Sequence, residues 1–180
     1  DNKAADFVLG GWKFVGTFAA YSGTPFDVSG TGSSLQCIGC TQTADQIAPV
    51  KKLGGKGPGD PYYDPMSFRD PLFSFNAAAP VYRPGNTGWG ILRGPGYWRI
   101  NPAIYKSFKI KEKVNAEFRA ESNNFTNSPI WSNPSGSSGN MRLNPDGTLN
   151  RSLADPLQNF MCITGASTGR DFRFGLRLAF

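Results

Sequence analysis

Hydrophobic and polar residues alternate with a period of two in four stretches of the chain, and this alternation predicts four β-strands. The predicted strands cover about residues 12–21, 98–108, 114–125 and 170–180. Each stretch has roughly the 9–11 residues that a tilted strand needs to cross the hydrocarbon core of a bilayer. The pattern therefore indicates amphipathic strands that are long enough to span a membrane.

Each predicted strand has one apolar and one polar face, and a membrane-spanning barrel turns its apolar face to lipid and its polar face to a hydrated lumen. The residues predicted to face lipid are Trp12, Phe14, Phe18, Val114, Phe118, Phe172, Phe174, Leu176 and Leu178. The residues predicted to face the lumen are Asn115, Glu117, Arg119, Glu121, Asn123, Asp171, Arg173 and Arg177.

Long and short connections alternate along the chain. Residues 22–96 and about 127–168 are long and rich in turn residues, whereas residues 108–113 are predicted to form a tight turn. Both long connections then lie on the same side of the sheet, as in outer-membrane barrels with short periplasmic turns and long extracellular loops. The predicted fold class is all-β, with antiparallel transmembrane strands and two long extracellular loops.

Two residues interrupt the pattern of the second strand. Pro102 cannot donate a hydrogen bond to a neighbouring strand, so a bulge or local break is expected there. Lys106 falls on the apolar face near the strand end, where its long stem could carry the ammonium group to the interface.

Four strands cannot close a barrel, because single-chain barrels of this kind begin at eight strands and lipid does not tolerate an open sheet edge. Residues 1–6 also show no basic start followed by an apolar core, so no signal peptide is visible. We therefore expect residues 1–180 to be part of one larger barrel domain, with further chain upstream.

The composition agrees with strands joined by long loops. Gly (22 residues) and Pro (14 residues) make up a fifth of the 180 residues, against about 12% in average proteins, and Phe, Tyr and Trp are abundant. The formal net charge is +6, but no recognised nucleic-acid-binding module is present, so no nucleic-acid partner is expected.

A series of short segments in a fixed order resembles the landmarks of one family. They are Ser22–Val28, Ala44–Gln46, Tyr62–Pro65, Phe68, Gly85–Gly88, Ile91–Gly96, Phe118–Glu121, Asn123–Asn127, Asn133–Pro134, Phe174–Leu178 and Phe180. Together they resemble the barrel end of Oar-like TonB-dependent outer-membrane receptors of acidobacteria and myxobacteria. The resemblance spans nearly the whole chain.

This resemblance implies a 22-stranded barrel filled by a plug, of which the four strands are the last four. It implies uptake of a substrate, not identified by the loops, that is powered through the TonB complex. The implied partners are outer-membrane lipid, the remainder of the barrel and its plug, the TonB complex and the barrel-assembly machinery. The terminal Phe180 matches the C-terminal signal that the assembly machinery reads.

A second hypothesis is an extracellular β-sandwich that binds carbohydrate or another surface ligand through its aromatic loops. The first long loop contains seven such aromatic residues, which could contact a ligand or pack the loop on itself; packing is favoured. They are Tyr62, Tyr63, Phe68, Phe73, Phe75, Tyr82 and Trp89.

Catalytic chemistry is not indicated, and no enzymatic activity and no cofactor are expected. The chain has no His, which removes the commonest general base and metal ligand. Glu117, Arg119 and Glu121 lie in a row along one strand, and an ion-pair ladder along the lumen explains them better than an acid–base pair. Four aspartates beside Pro or Gly suit turns better than calcium binding. They are Asp64, Asp70, Asp146 and Asp155.

The three cysteines leave several alternatives open. Cys37 and Cys40 are a candidate disulfide that staples the first loop, and a redox dithiol or half a zinc site are the alternatives. Cys162 could be a thiol, a small buried hydrophobic residue, or a partner for either of the other two.

Overall fold

The computed structural model of the protein describes residues 7–30, 35, 39–71, 82–111, 114–137, 159–167 and 169–180. The chain divides into two compact units. The sheet unit comprises Asp1–Tyr21, Tyr97–Pro129 and Thr168–Phe180, and the loop unit comprises Ser22–Gly96 and Ile130–Ser167. Each unit is described by itself below.

The described residues form eight strands and little helix, which confirms the prediction of an all-β chain. The strands are β1 (Trp12–Tyr21), β2 (Pro25–Phe26), β3 (Asp45–Gln46), β4 (Phe68–Arg69), β5 (Leu92–Arg93), β6 (Tyr97–Lys111), β7 (Val114–Asn123) and β8 (Asp171–Ala179). None of the helical turns in the described part of the chain is long and apolar enough to span a membrane.

The sheet unit is built on one four-stranded sheet with the order β1-β6-β7-β8, and every neighbouring pair is antiparallel. β1 ends and β6 begins where Tyr21 pairs with Tyr97, and β7 ends and β8 begins where Asn123 pairs with Asp171. Both long connections therefore leave the same end of the sheet, as the alternation of long and short connections predicted.

The sheet is open. β1 and β8 are its two edge strands, and among the described residues neither pairs with a further long strand on its outer side. The four strands do not close on one another.

The prediction that β6 ends near residue 108 and turns over residues 108–113 is wrong. β6 continues to Lys111, because Phe108 pairs with Ala116 and Lys109 with Asn115 in the ladder with β7. A register shift between Lys109 and Lys111 is the irregularity in this ladder. Residues 112 and 113, which connect the two strands, lie outside the described residues.

The bulge or break expected at Pro102 is found on one side only: Pro102 pairs regularly with Gly16 of β1, whereas the ladder with β7 stops beside it. The carbonyl of Ile100 accepts from the Phe125 amide, so alternate residues of β6, including Pro102, point their backbone polar groups toward β7. Pairing with β7 extends only to Ala103. The missing N–H of Pro102 thus lies where that ladder ends, so no hydrogen bond within the β6–β7 ladder is lost.

β7 stops at Asn123, two residues before the predicted end. Asn124 has a left-handed backbone conformation, with a φ of 52°, which a strand does not continue through. Its side-chain amide donates to the Ser128 carbonyl and its side-chain oxygen accepts from the Ser128 amide, both at 3.0 Å. This local exchange of hydrogen bonds replaces strand pairing.

The loop unit has a hydrophobic core of its own. Its buried residues are Val28, Ala44, Phe68, Leu92, Phe160 and Met161, with Phe26 and Tyr63 packed against them. Residues of both long connections contribute to this core, and the Tyr62 amide donates to the Met161 carbonyl at 2.7 Å. The two connections therefore form one packed body, which the turn-rich sequence alone did not predict.

A glycine makes the first turn of this body possible. β1 is followed by Ser22 and by Gly23, which has a φ of +93°. A side chain at Gly23 would overlap the carbonyl oxygen of Gly94, so the backbone can pass here only without a Cβ. The predicted strand break after Tyr21 is thereby confirmed.

Candidate functional site

The antiparallel register brings all predicted apolar positions of the sheet unit to one face. Phe14 lies opposite Ile104, Ile104 opposite Ala120, and Ala120 opposite Phe174, so one apolar row crosses all four strands. The other predicted lipid-facing residues occupy the same side of their strands by alternation. The structure thus brings the nine residues together.

This apolar face is exposed to an unusual degree. Phe14, Phe174 and Leu176 are each about seven-tenths exposed (71%, 70% and 69%), although a soluble sheet buries such residues against a second layer. A β-sandwich would need a second sheet over this face. An apolar face of this kind, spread over four strands, is typical of a surface that meets lipid or a partner.

The eight predicted lumen-facing residues share the opposite face. Glu117 lies opposite Arg177, Glu121 opposite Arg173, and Asn123 opposite Asp171, so charged and polar partners face one another across β7 and β8. Opposite charges in directly facing positions stabilise an antiparallel pair. The structure therefore brings this predicted set together as well.

Hydrogen bonds, ion pairs and a cation–π contact connect the side chains of the polar face along and across the strands. The Arg119 Nε donates to Glu117 Oε1 at 2.8 Å, and the Tyr105 hydroxyl donates to Glu121 Oε1 at 3.0 Å. The Arg119 guanidinium carbon lies 5.5 Å from the centre of the Tyr105 ring. An ion pair between Arg173 Nε and Asp171 Oδ2, at 3.3 Å, continues the network on β8.

The predicted set omitted the polar residues of β1 and β6 that belong to the same face. Lys13 lies opposite Tyr105, which lies opposite Arg119, and Arg99 and Asn101 occupy the same side of β6. The signal for these residues was present, because Arg99, Asn101 and Tyr105 alternate with apolar residues in the sequence. The contact between Tyr105 and Glu121 was not visible there, since it depends on the register.

The carboxylates of Glu117 and Glu121 are not arranged as a catalytic acid–base pair; each belongs to the row of charged side chains along β7. Glu117 and Glu121 hydrogen-bond to different partners on one face of β7. In the described part of the chain, no group of three or more His, Cys, Asp or Glu side chains could hold a metal ion.

In the loop unit, sequence analysis missed a buried carboxylate. Asp45, 2% exposed, receives the Arg83 guanidinium through two hydrogen bonds of 2.9 Å and 2.6 Å, and it also accepts from the Asn86 amide at 3.2 Å. The hydrogen bond to Asp45 raises the pKa of Arg83 above its ordinary value. This pair holds residues 83–86 on strand β3.

Two sequence landmarks meet at this point. The Gln46 amide donates to the Asn86 side chain at 2.7 Å and the Asn86 side chain donates back to the Gln46 carbonyl at 3.2 Å. The Thr87 amide and hydroxyl both donate to the Ala44 carbonyl. Ala44–Gln46 and Gly85–Gly88, some forty residues apart in sequence, are therefore one structural motif.

The loop aromatics divide into two groups. Phe68 and Tyr62 are buried and Tyr63 is half-buried, as the packing interpretation predicted, whereas Tyr82 and Trp89 are 58% and 65% exposed. Trp89 borders an open hollow of about 340 Å³ whose lining includes Asp27 and Thr43. Phe73 and Phe75 lie outside the described residues.

The remaining predicted positions have mixed outcomes. Cys40 is disulfide-bonded, its candidate partner Cys37 lies outside the described residues, and Cys162 is buried. Asp64 has the predicted turn role, because its Oδ1 accepts from the Met66 amide at the start of the 3-10 helix Pro65–Ser67. Asp70 is buried, and Asp146 and Asp155 lie outside the described residues.

Phe180 follows the end of β8 and is 95% exposed. The ring continues the apolar alternation of Phe174, Leu176 and Leu178 by one further position. Its assignment as an assembly signal stays a prediction.

Comparison with known proteins agrees with this geometry. The family model described as "Outer membrane beta barrel domain" matches residues 1–173 of the 180. No curated protein and no solved structure matches the chain. The match covers almost the whole chain, and the open antiparallel sheet with one exposed apolar face is what a part of such a barrel requires. The protein therefore belongs to the outer membrane beta barrel domain family and is integral to the outer membrane.

Proposed function

We propose that this chain is part of the barrel of a TonB-dependent receptor that takes up a substrate through the outer membrane. The observation that carries the proposal is the division of the sheet into two faces. In an outer-membrane barrel the apolar face meets lipid and the charged face, built on Glu117, Arg119 and Glu121, lines a hydrated interior. Transport is favoured over enzymatic catalysis, because the carboxylates of this face form a ladder of ion pairs.

The open edges of β1 and β8 support a larger barrel. An unpaired edge in hydrocarbon would leave backbone N–H and C=O groups without partners, at several kcal/mol for each group. Further strands must therefore pair with both edges in the membrane. We propose that they come from the same polypeptide, as in the 22-stranded receptors that the sequence resembles, with a plug inside the barrel.

The packed loop unit supports a receptor rather than a bare pore. Both long connections share one core, with Phe68 and Met161 fully buried, so they form a fixed body able to present side chains to a ligand. The exposed Trp89 beside Asp27 and Thr43 is the most suitable ligand contact in this body, since aromatic faces with nearby polar groups bind organic ligands.

Energy-dependent uptake by cells that produce the full-length protein is the test. Uptake of labelled ferric siderophores, maltodextrins and oligopeptides would be compared between cells with and without the protein, and with and without an uncoupler of the inner membrane. We expect uptake of one class to require the protein and to stop with the uncoupler or without TonB. Uptake that needs the protein but survives the uncoupler would identify a passive channel and contradict the proposal.

A further inference from the structure

Lys106 is a charged residue on the apolar face of the sheet unit. Its cross-strand neighbours are Trp12 on β1 and Phe118 on β7, and both belong to that face. The residue is nevertheless only 3% exposed. The ammonium group is therefore covered by protein, and its contacts show which groups bind it.

The ammonium group is enclosed by backbone carbonyls and aromatic rings. Lys106 Nζ donates to the Val8 carbonyl at 3.2 Å and also to the Gly10 carbonyl. It lies 5.0 Å from the centre of the Trp12 ring and 5.3 Å from that of Phe108, within the range of cation–π attraction. The charge is thus satisfied by residues 7–11, which cover it.

Residues 7–9 are helical and contact β6 at further points. The Phe7 ring packs on the Phe108 ring with centres 5.2 Å apart, and Trp12 Nε1 donates to the Val8 carbonyl at 2.9 Å. Gly11, with a φ of +71°, accepts from the Ser107 amide at 3.0 Å. A Cβ at Gly11 would lie 2.6 Å from the Ser107 oxygen, so only glycine allows this approach.

The outer side of the turn is apolar and open. Phe7, Val8 and Leu9 are 56%, 61% and 76% exposed, and through Phe108 and Trp12 they are continuous with the apolar face. The turn lies toward the sheet end that carries the short connection, where the aromatic girdle of a barrel meets the membrane interface.

We propose that residues 7–11 are an interfacial anchor. Lys106 holds the turn against the sheet, and Phe7, Val8 and Leu9 insert between the headgroups and acyl chains of the phospholipid leaflet at the short-connection end. Apolar side chains on a short amphipathic segment bind at this depth. The inference rests on the part of the proposed function that assigns the apolar face to lipid.

The test uses Leu9→Trp in the full-length protein, reconstituted in phosphatidylcholine vesicles that contain lipids brominated at shallow or deep acyl positions. Its fluorescence is compared with that of the parent protein, which has four tryptophans in this chain. We expect a blue-shifted added emission that shallow bromines quench more than deep ones. Added emission that aqueous iodide quenches, and bromolipids do not, would overturn the anchor.

A second variant tests whether the apolar face meets lipid, independently of whether residues 7–11 insert into the leaflet. Phe174→Trp on β8 should be quenched mainly by deep bromines. If Phe174→Trp is quenched and Leu9→Trp is not, the anchor alone is wrong. If neither is quenched, the apolar face does not meet lipid, and that part of the proposed function is wrong too.

The role of Lys106 is tested in the Leu9→Trp background. Lys106→Met removes the hydrogen bonds to Val8 and Gly10, so the added quenching should fall to the parent level. Arg173→Met, on the polar face near the other end of the sheet, should leave it unchanged. Heat-modifiable migration checks that each variant is folded. If Lys106→Met does not fold, Lys106→Leu, which also removes the two hydrogen bonds, takes its place. Unchanged quenching in the folded variant would overturn the holding role.

Discussion

The two units of this protein treat their hydrophobic residues in opposite ways. The loop unit buries them: Phe68 and Met161 are 0% exposed, and residues from both long connections surround them. The sheet unit exposes them, with Phe14 and Phe174 about seven-tenths open. The loop unit buries its apolar side chains as a small soluble domain does. The sheet unit would expose a large apolar surface if water surrounded it.

The exposure of the apolar residues in each unit therefore indicates the environment in which that unit is stable. A sheet that presents phenylalanines on one face and ion pairs on the other is stable when lipid covers the first face and water wets the second. The loop unit instead carries its own core, so its stability depends on internal packing. Substitutions should therefore act by different rules in the two units.

Deletion of Phe180 should have the largest effect, although this residue is 95% exposed and makes few contacts within the chain. The family resemblance implies that the assembly machinery reads Phe180 as part of its signal. We expect severalfold lower outer-membrane levels of the full-length protein by immunoblot, and near-normal levels for Phe180→Tyr. Normal levels of the truncated protein would refute this role.

In the loop unit, Phe68→Ala should be strongly destabilising, because it empties a fully buried position. The expected cost is about 3–5 kcal/mol, as for other buried aromatic residues. Limited proteolysis along a urea series should detect earlier cleavage of the loops. Tyr82→Ala, at an exposed aromatic position of the same unit, is the matched control and should not change the cleavage midpoint.

In the sheet unit, Phe174→Arg should be destabilising for the opposite reason, because it places a charge on an exposed apolar face. An arginine at the lipid face costs about 2–4 kcal/mol near the bilayer midplane. Unfolding in phospholipid vesicles, followed by heat-modifiable migration, measures the loss. Ala103→Arg lies on the other face opposite Glu121, so an equal loss in that control would show that the two faces are not distinguished by lipid.

Arg83→Ala should have an intermediate effect confined to the loop unit. It leaves the buried Asp45 carboxylate with the Asn86 amide but without the guanidinium, and hydrogen bonds to charged groups contribute about 1.5–3 kcal/mol. Asp45→Asn should cost less, because it removes the charge from the buried position. In Asp45→Asn the Arg83 guanidinium remains, but it is 37% exposed and keeps its hydrogen bond to the Pro84 carbonyl. Cleavage midpoints in urea should rank Arg83→Ala below Asp45→Asn; the reverse order would contradict this account.

Glu117→Gln should have the smallest effect. Its ion pair with Arg119 lies on a face that is partly open to solvent, and such pairs are screened by water and salt. No change in the unfolding midpoint in vesicles is expected at physiological salt. A clear loss of stability that does not depend on salt would show that this face is enclosed and dry.

Much of the sheet was predictable because strand alternation is a local property of the sequence. The starts of β1 and β7, and the assignment of Phe118 and Glu117 to opposite faces, follow from a period of two. The strand ends were less predictable. β6 runs on to Lys111 because β7 offers partners to Phe108 and Lys109, and Pro102 is tolerated because the ladder with β7 ends beside it.

The sites that escaped prediction depend on residues far apart in the chain. Asp45 and Arg83 are 38 residues apart, and no short-range sequence pattern predicts the two hydrogen bonds between them. Lys106 was visible as a charge on an apolar face, but its partners Val8 and Gly10 are nearly one hundred residues away.

The all-β class, the two faces of each strand and the end of the sheet from which both long connections leave could be predicted from the sequence. Those properties follow from alternation and from turn residues, which act over a few positions. The shared core of the two long connections, and the cover that residues 7–11 form over Lys106, emerged in the folded protein. Such contacts depend on which segments distant in sequence come together. A buried charge such as that of Lys106 finds its hydrogen-bond acceptors only when those segments are in contact.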